Sequence, residues 1–116
     1  MRSKTSYESG MFAEFLARMY LRLRGFKIVK SRYITGRHTN RAEIDIIARR
    51  GNLLVFIEVK RRKSIEIGFS AITPTQACRL RRAAETYIAK TRWMGDARFD
   101  VIVVCGMKIH WVKNAI

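Results

Sequence analysis

The sequence predicts one α/β domain with a central mixed β-sheet flanked by helices, in the order helix, three strands, helix, two strands. Two segments repeat apolar residues every three or four positions, and short runs dense in β-branched and aromatic residues follow each of them. No internal repeat, low-complexity tract or Pro/Gly/Ser linker divides the 116 residues, so a single domain is expected. A chain of this length buries about two thirds of its unfolded surface. It needs no disulfide or metal staple to hold a core.

From about Tyr7 to Arg24, the residues Phe12, Phe15, Leu16, Met19, Tyr20 and Leu23 follow the spacing of an amphipathic helix, and Gly25 supplies its stop. Phe26 to Ile34, with Ile28 and Val29 at its centre, reads as a strand that leads into the polar, basic loop Thr35 to Arg41. Glu43 to Arg49 (EIDIIAR) and Leu53 to Arg61 (LLVFIEVKR) are the second and third strands. Only Arg50, Gly51 and Asn52 separate them, a turn short enough to require an antiparallel hairpin. Thr73 as N-cap, Pro74 at the first helical position and Gln76 at the third make a capping box that opens a second helix, extending to about Lys90. Its inward stripe is Ala77, Leu80, Ala84 and Tyr87. Phe99 to Cys105 (FDVIVVC), apolar on both faces, suits an interior strand, and Lys108 to Lys113 forms the last one.

Lys and Arg number 24 against 9 Asp and Glu, a formal charge of +15 spread along the chain. So large an excess on so small a body attracts polyanions, and nucleic acid is the leading partner. With 48% hydrophobic residues the chain is not a disordered basic tail. The longest stretch without a charged side chain, Ile67 to Cys78, contains Ser, Thr, Pro and Gln, so no transmembrane span and no membrane partner is expected. Met1 to Gly10 has no apolar run of the secretory type, which makes the cytoplasm the expected location. Cys78 and Cys105, with no CxxC spacing, are expected to be buried free thiols.

The acids sit where a simple polyanion binder has no use for them. Side chains alternate across a strand, so Glu43 and Asp45 share one face, as do Glu58 and Lys60. With Gly51 and Asn52 as the hairpin loop, Asp45 falls opposite Glu58 and Glu43 opposite Lys60. Opposed side chains have Cβ atoms about 4.5–5.5 Å apart, and like charges there repel. A divalent cation resolves that conflict: Mg²⁺ takes one or two carboxylates plus water and phosphate oxygens, and a nearby lysine orients an attacking water. The other reading of these acids is solvated strand residues paired with neighbouring Arg and Lys.

An acid at the end of one strand followed by (D/E)-x-K in the next, within this element order, resembles the restriction-endonuclease-like nuclease superfamily, the PD-(D/E)XK group. More narrowly, the segments Gly10 to Gly25, Glu43 to Ala48 (EIDIIA), Val55 to Arg61 (VFIEVKR) and Arg98 to Val104 (RFDVIVV) resemble the small bacterial YraN family. The resemblance implies a restriction-endonuclease-like core related in fold to Holliday junction resolvases, and an Mg²⁺- or Mn²⁺-dependent endonuclease for which DNA, branched forms among the candidates, is favoured over RNA as the substrate. It assigns Asp45 and Glu58 to the metal, Lys60 to the attacking water, Glu14 of the first helix to a further carboxylate, and Glu43 to the metal or its surroundings. Ala13 and Ala42 stand where the family usually has Gly, Thr75 precedes Gln76 where Lys is common, and Arg32 replaces a frequent Asn. The metal acids and Lys60 are intact.

Nucleic-acid contacts are expected from Arg37 and Arg41 in the loop before the acidic strand, from Arg61 and Arg62 after the E-V-K segment, and from Gln76, Arg79 and Arg82 on the second helix. Glu14 also lies four residues before Arg18, so an ordinary helix-surface pair is open to it. Trp93 and Trp111 read as packing residues rather than base platforms. Small nucleases of this kind often act as homodimers, because two cuts need two sites. The alternative to the nuclease is a non-catalytic, basic nucleic-acid-binding module.

Overall fold

The chain runs α1 (Ser6–Leu23), β1 (Lys27–Thr35), β2 (Ala42–Arg50), β3 (Leu53–Arg61), α2 (Pro74–Thr91), β4 (Asp96–Cys105) and β5 (Lys108–Val112). This is a computed structural model, and it describes residues 6–36, 41–63 and 72–115. The five strands form one sheet in sequence order. β1, β2 and β3 make an antiparallel meander, β3 and β4 run parallel, and β5 returns antiparallel to β4. The parallel pair makes the sheet mixed, as expected. A parallel neighbour requires a crossover, and α2 lies within it.

The two helices cover opposite faces. α1 packs through Ala13, Ala17 and Leu21 onto Ile46, Ala48, Val55, Ile57, Ile102 and Val104, while α2 packs through Leu80, Ala83, Ala84 and Tyr87 onto Ile44, Ile47, Leu54 and Phe56. The buried face of α1 corrects the expectation from periodicity. Phe15, Met19 and Leu23, expected inward, are 49%, 42% and 80% exposed. Two alanines on the sheet side let the helix approach closely, and the larger side chains are turned outward. Together with Met11 they make an exposed apolar row at i, i+4 spacing. Gly25, at φ 86, ends α1 in a Schellman motif: the Phe26 N–H donates to the Leu21 carbonyl and the Gly25 N–H to that of Arg22, each at 3.0 Å.

α2 begins as its sequence dictates. Thr73 holds extended backbone, its hydroxyl accepts the Gln76 N–H at 3.1 Å, and the Gln76 side chain accepts the Thr73 N–H in return. The cysteines differ from expectation in burial only: both are free, but Cys78 is exposed and Cys105 half-buried. Both tryptophans pack against a core, with Nε1 of Trp93 on the Asp96 carbonyl and that of Trp111 on Asp100. Among the described residues, no helix is long and apolar enough to cross a membrane.

Candidate active site

The β2–β3 hairpin has the register that its two-residue loop requires, from Arg50 opposite Leu53 to Ile46 opposite Ile57. There the paired ladder stops, one residue short of Asp45 and Glu58. Ile44 belongs to the core under α2 and Ile46 to the core under α1, although regular alternation would place them on one face. The strand therefore changes phase at Asp45. Its carboxylate turns toward β3 and accepts the Val59 N–H at 2.8 Å.

Glu58 and Lys60 share a face, as expected, and pair with each other: Nζ lies 3.2 Å from Oε1, with both side chains nearly out of water. The expected apposition of Glu43 and Lys60 is not formed, because pairing ends before reaching them. Glu43 instead stands 4.0 Å from Arg41. Glu14 reaches this region from α1, and its partner is Arg32 rather than Arg18. Nε and Nη2 of Arg32 each donate to one Glu14 oxygen at 3.1 Å. Arg32 holds φ 54, a left-handed conformation that Asn tolerates better than most residues.

Electrostatics reflect the crowding. Burial, then the charge of Glu58, pushes the Asp45 carboxyl up to about 8; the Val59 N–H opposes the shift, and Glu14 and Glu43 add to it. Glu58 is also raised, chiefly by burial, with the Lys60 charge opposing. Beside them opens a cleft of about 380 Å³ lined by Arg41, Glu43, Asp45, Glu58, Gln76 and Arg79. Its carboxylates are half-buried and its arginines exposed.

The remaining expected contacts divide. Gln76, Arg79 and Arg41 line the cleft, while Arg82 is exposed on α2 and does not. Arg62 turns its guanidinium back onto the Arg61 carbonyl at 2.8 Å, and Nη1 of Arg61 is buried without a hydrogen-bond partner among the described residues. Arg37 lies outside the described residues. Sequence reasoning missed Arg32, for which periodicity carries no signal, and Asp100. Asp100 is fully buried and accepts both prongs of Arg98 (2.9 and 2.8 Å), Nε1 of Trp111 and the Asn114 N–H (2.8 Å each). An acid within the otherwise apolar FDVIVVC run was its signal. It braces β4, β5 and the turn after β5.

Residues 13–104 match the family model described as "Uncharacterised protein family UPF0102". The chain is 41% identical over 112 residues to a "UPF0102 protein" of Shewanella woodyi, covering 93% of this chain and 91% of that one. It is 40% identical over 114 residues to one of Legionella pneumophila (strain Corby), covering 93% of each. It is also similar, at 35% over 102 residues, to a UPF0102 protein of Paramagnetospirillum magneticum, covering 86% of this chain and 79% of that one. With the match spanning both acidic strands, α2 and most of the sheet, the chain belongs to the UPF0102 family, the YraN family whose motifs its sequence resembles.

Proposed function

We propose that this protein is a divalent-metal-dependent endonuclease that hydrolyses phosphodiester bonds of DNA. One observation carries the reading: Asp45 and Glu58 line one cleft where the hairpin ladder has ended, close enough that the Glu58 charge helps raise the Asp45 carboxyl, on a chain of net charge +15. Two crowded carboxyls are a poor anion site and a good dication site. Among the described residues no three His, Cys, Asp or Glu side chains stand together as a metal cage. Mg²⁺ or Mn²⁺ requires none here, since Mg²⁺ is bound through one or two carboxylates plus water and phosphate oxygens. Asp45 and Glu58 would hold the ion, which when bound supplies Lewis acidity toward the phosphoryl group and lowers the pKa of a bound water.

The chain's own groups account for the rest. Arg41 and Arg79, which line the cleft, attract and orient the phosphates on either side of the reacting one. Lys60, fixed by Glu58, places a positive charge where the phosphate gains negative charge in the transition state, and orients the attacking water. Gln76, on the first turn of α2, presents an amide to the same cleft.

One observation favours the alternative of a non-catalytic nucleic-acid-binding module: the Arg32 fork already occupies both oxygens of Glu14. A single experiment separates the two. Labelled duplex, flap and junction DNA, with RNA counterparts, are incubated with Mg²⁺ or Mn²⁺ and either wild type or Asp45→Asn. Metal-dependent cleavage by wild type alone, with binding retained in both, supports the nuclease. Binding by both without cleavage of any substrate refutes it and leaves the binding module.

A further inference from the structure

A second basic region lies at the other end of α1, away from the acids. Tyr20 of α1, Arg24 just past its C-terminus, Arg50 at the end of β2, and His110, Trp111 and Lys113 of the C-terminal segment line a cleft of about 360 Å³. No carboxylate is among its lining residues. None of the ion pairs among the described residues uses Arg24, Arg50 or Lys113.

These cations are held in place by aromatic faces. The Arg24 guanidinium sits 3.5 Å from the Tyr20 ring centre, that of Arg50 4.5 Å from Phe26, and the Lys113 ammonium 4.9 Å from Trp111. Trp111 is packed edge-on against both Tyr20 and Phe26, so the rings form one cluster. Arg50 also donates to the Arg24 carbonyl at 3.0 Å. A helix C-terminus attracts cations through its dipole, and the Arg50 bond to that carbonyl satisfies it. It does not explain Arg24 and Lys113 converging on the same cleft without an acid to neutralise them.

We propose that this cleft is a second nucleic-acid site, which binds the sugar-phosphate backbone through Arg24, Arg50 and Lys113. The ring faces are occupied by cations, so the cleft offers ordered positive charge rather than free stacking surface, and the ligand chemistry is phosphate rather than base. Arg24, one residue past α1, lies ten positions after Glu14, about 15 Å at 1.5 Å per residue. That equals about four to five nucleotides at 3.4 Å per step along one strand. The cleft would grip a substrate several nucleotides from the carboxylates. The inference rests on the nucleic-acid part of the proposed function and not on cleavage.

The test measures binding of a fluorescein-labelled DNA duplex by fluorescence anisotropy across a salt series, with every variant built on Asp45→Asn so that no cleavage intervenes. Arg24→Gln/Arg50→Gln/Lys113→Gln is compared with Lys30→Gln/Arg81→Gln/Lys108→Gln, which removes the same charge from other exposed positions. The cleft variant should lose about tenfold more affinity than the control and flatten the slope of log K against log salt by about two to three, at about 0.9 per phosphate. Equal losses in the two would overturn the proposal and leave only diffuse charge.

Tyr20→Leu keeps every charge but removes the ring beneath Arg24. A several-fold loss of affinity with an unchanged salt slope is expected, and full affinity would show that the rings do not build a site. Lys113→Gln alone, in the exposed turn after β5, should flatten the slope by about one even if the triple variant fails to fold, and an unchanged slope would count against the cleft. The cleavage panel reads out separately. A protein that cleaves nothing yet shows the cleft dependence keeps this site without the nuclease, and one that cleaves without the dependence does the reverse.

Discussion

Replacing Asp45 by Asn should stabilise the metal-free protein, in a pH-dependent way that an ordinary surface acid would not show. The folded carboxyl is raised from 3.8 to about 8, so its contribution to stability is complete below pH 3.8 and is lost as pH rises through about 8. At pH 7 the folded group is still protonated while the unfolded one has ionised across about three units. At 1.36 kcal/mol per unit, that is up to about 4 kcal/mol of lost stability. Asn cannot ionise, keeps an oxygen for the Val59 N–H, and offers an N–H to Glu58. In chelator, Asp45→Asn should therefore melt on the order of 10 °C above wild type at pH 7–8. The difference should shrink to about 1 kcal/mol at pH 4.5. Mg²⁺ or Mn²⁺ at a hundredfold excess over its Kd should stabilise wild type by about 2.7 kcal/mol and barely move the variant. Thermal melts from pH 4.5 to 9, with and without metal, provide the comparison. A variant less stable than wild type at pH 8, or a gap that does not change with pH, would refute the raised, buried Asp45 carboxyl.

Lys60→Ala should retain DNA binding in anisotropy measurements and lose most cleavage, and Lys60→Arg should restore it only in part, since a guanidinium keeps the charge but not the shape. Wild-type rates in the Ala variant would remove Lys60 from the chemistry. Asp100→Ala leaves the Arg98 and Trp111 donors without their acceptor, and should cost about 3–5 kcal/mol in denaturant unfolding; a loss under about 1 kcal/mol would remove the brace assigned to it. Arg79→Ala with Arg82→Ala should flatten the DNA-binding salt slope by about one, because only Arg79 lines the acidic cleft. A change near two would place Arg82 on the nucleic acid as well.

Local chemistry made much of this architecture legible. The hairpin register followed from a two-residue loop, the start of α2 from Thr73, Pro74 and Gln76, and the mixed sheet from an interior strand after a crossover helix. The acids were found because alternation and register together brought Asp45 toward Glu58. What escaped depends on the rest of the molecule. Periodicity weighs Phe15 and Met19 above Ala13 and Ala17, but how closely a helix can lie on a sheet is set by the smallest side chains between them. The change of phase at Asp45 and the left-handed backbone at Arg32 are irregularities, and a reading based on regular alternation has no means of placing them. The Arg32–Glu14 fork depends on both a tertiary approach and that local distortion.

The outward row of Met11, Phe15, Met19 and Leu23 on α1 bears on how the protein behaves as a colloid. At low ionic strength, a molecule of charge +15 repels its copies over tens of ångströms, far beyond the reach of contact between apolar side chains. Added salt reverses the balance. The screening length contracts to about 3 Å at 1 M, while sulfate strengthens apolar association by its exclusion from protein surfaces. Solubility should therefore fall as sulfate rises, and a salt series intended to release nucleic acid should be run in chloride, with light scattering to detect clustering of the protein itself.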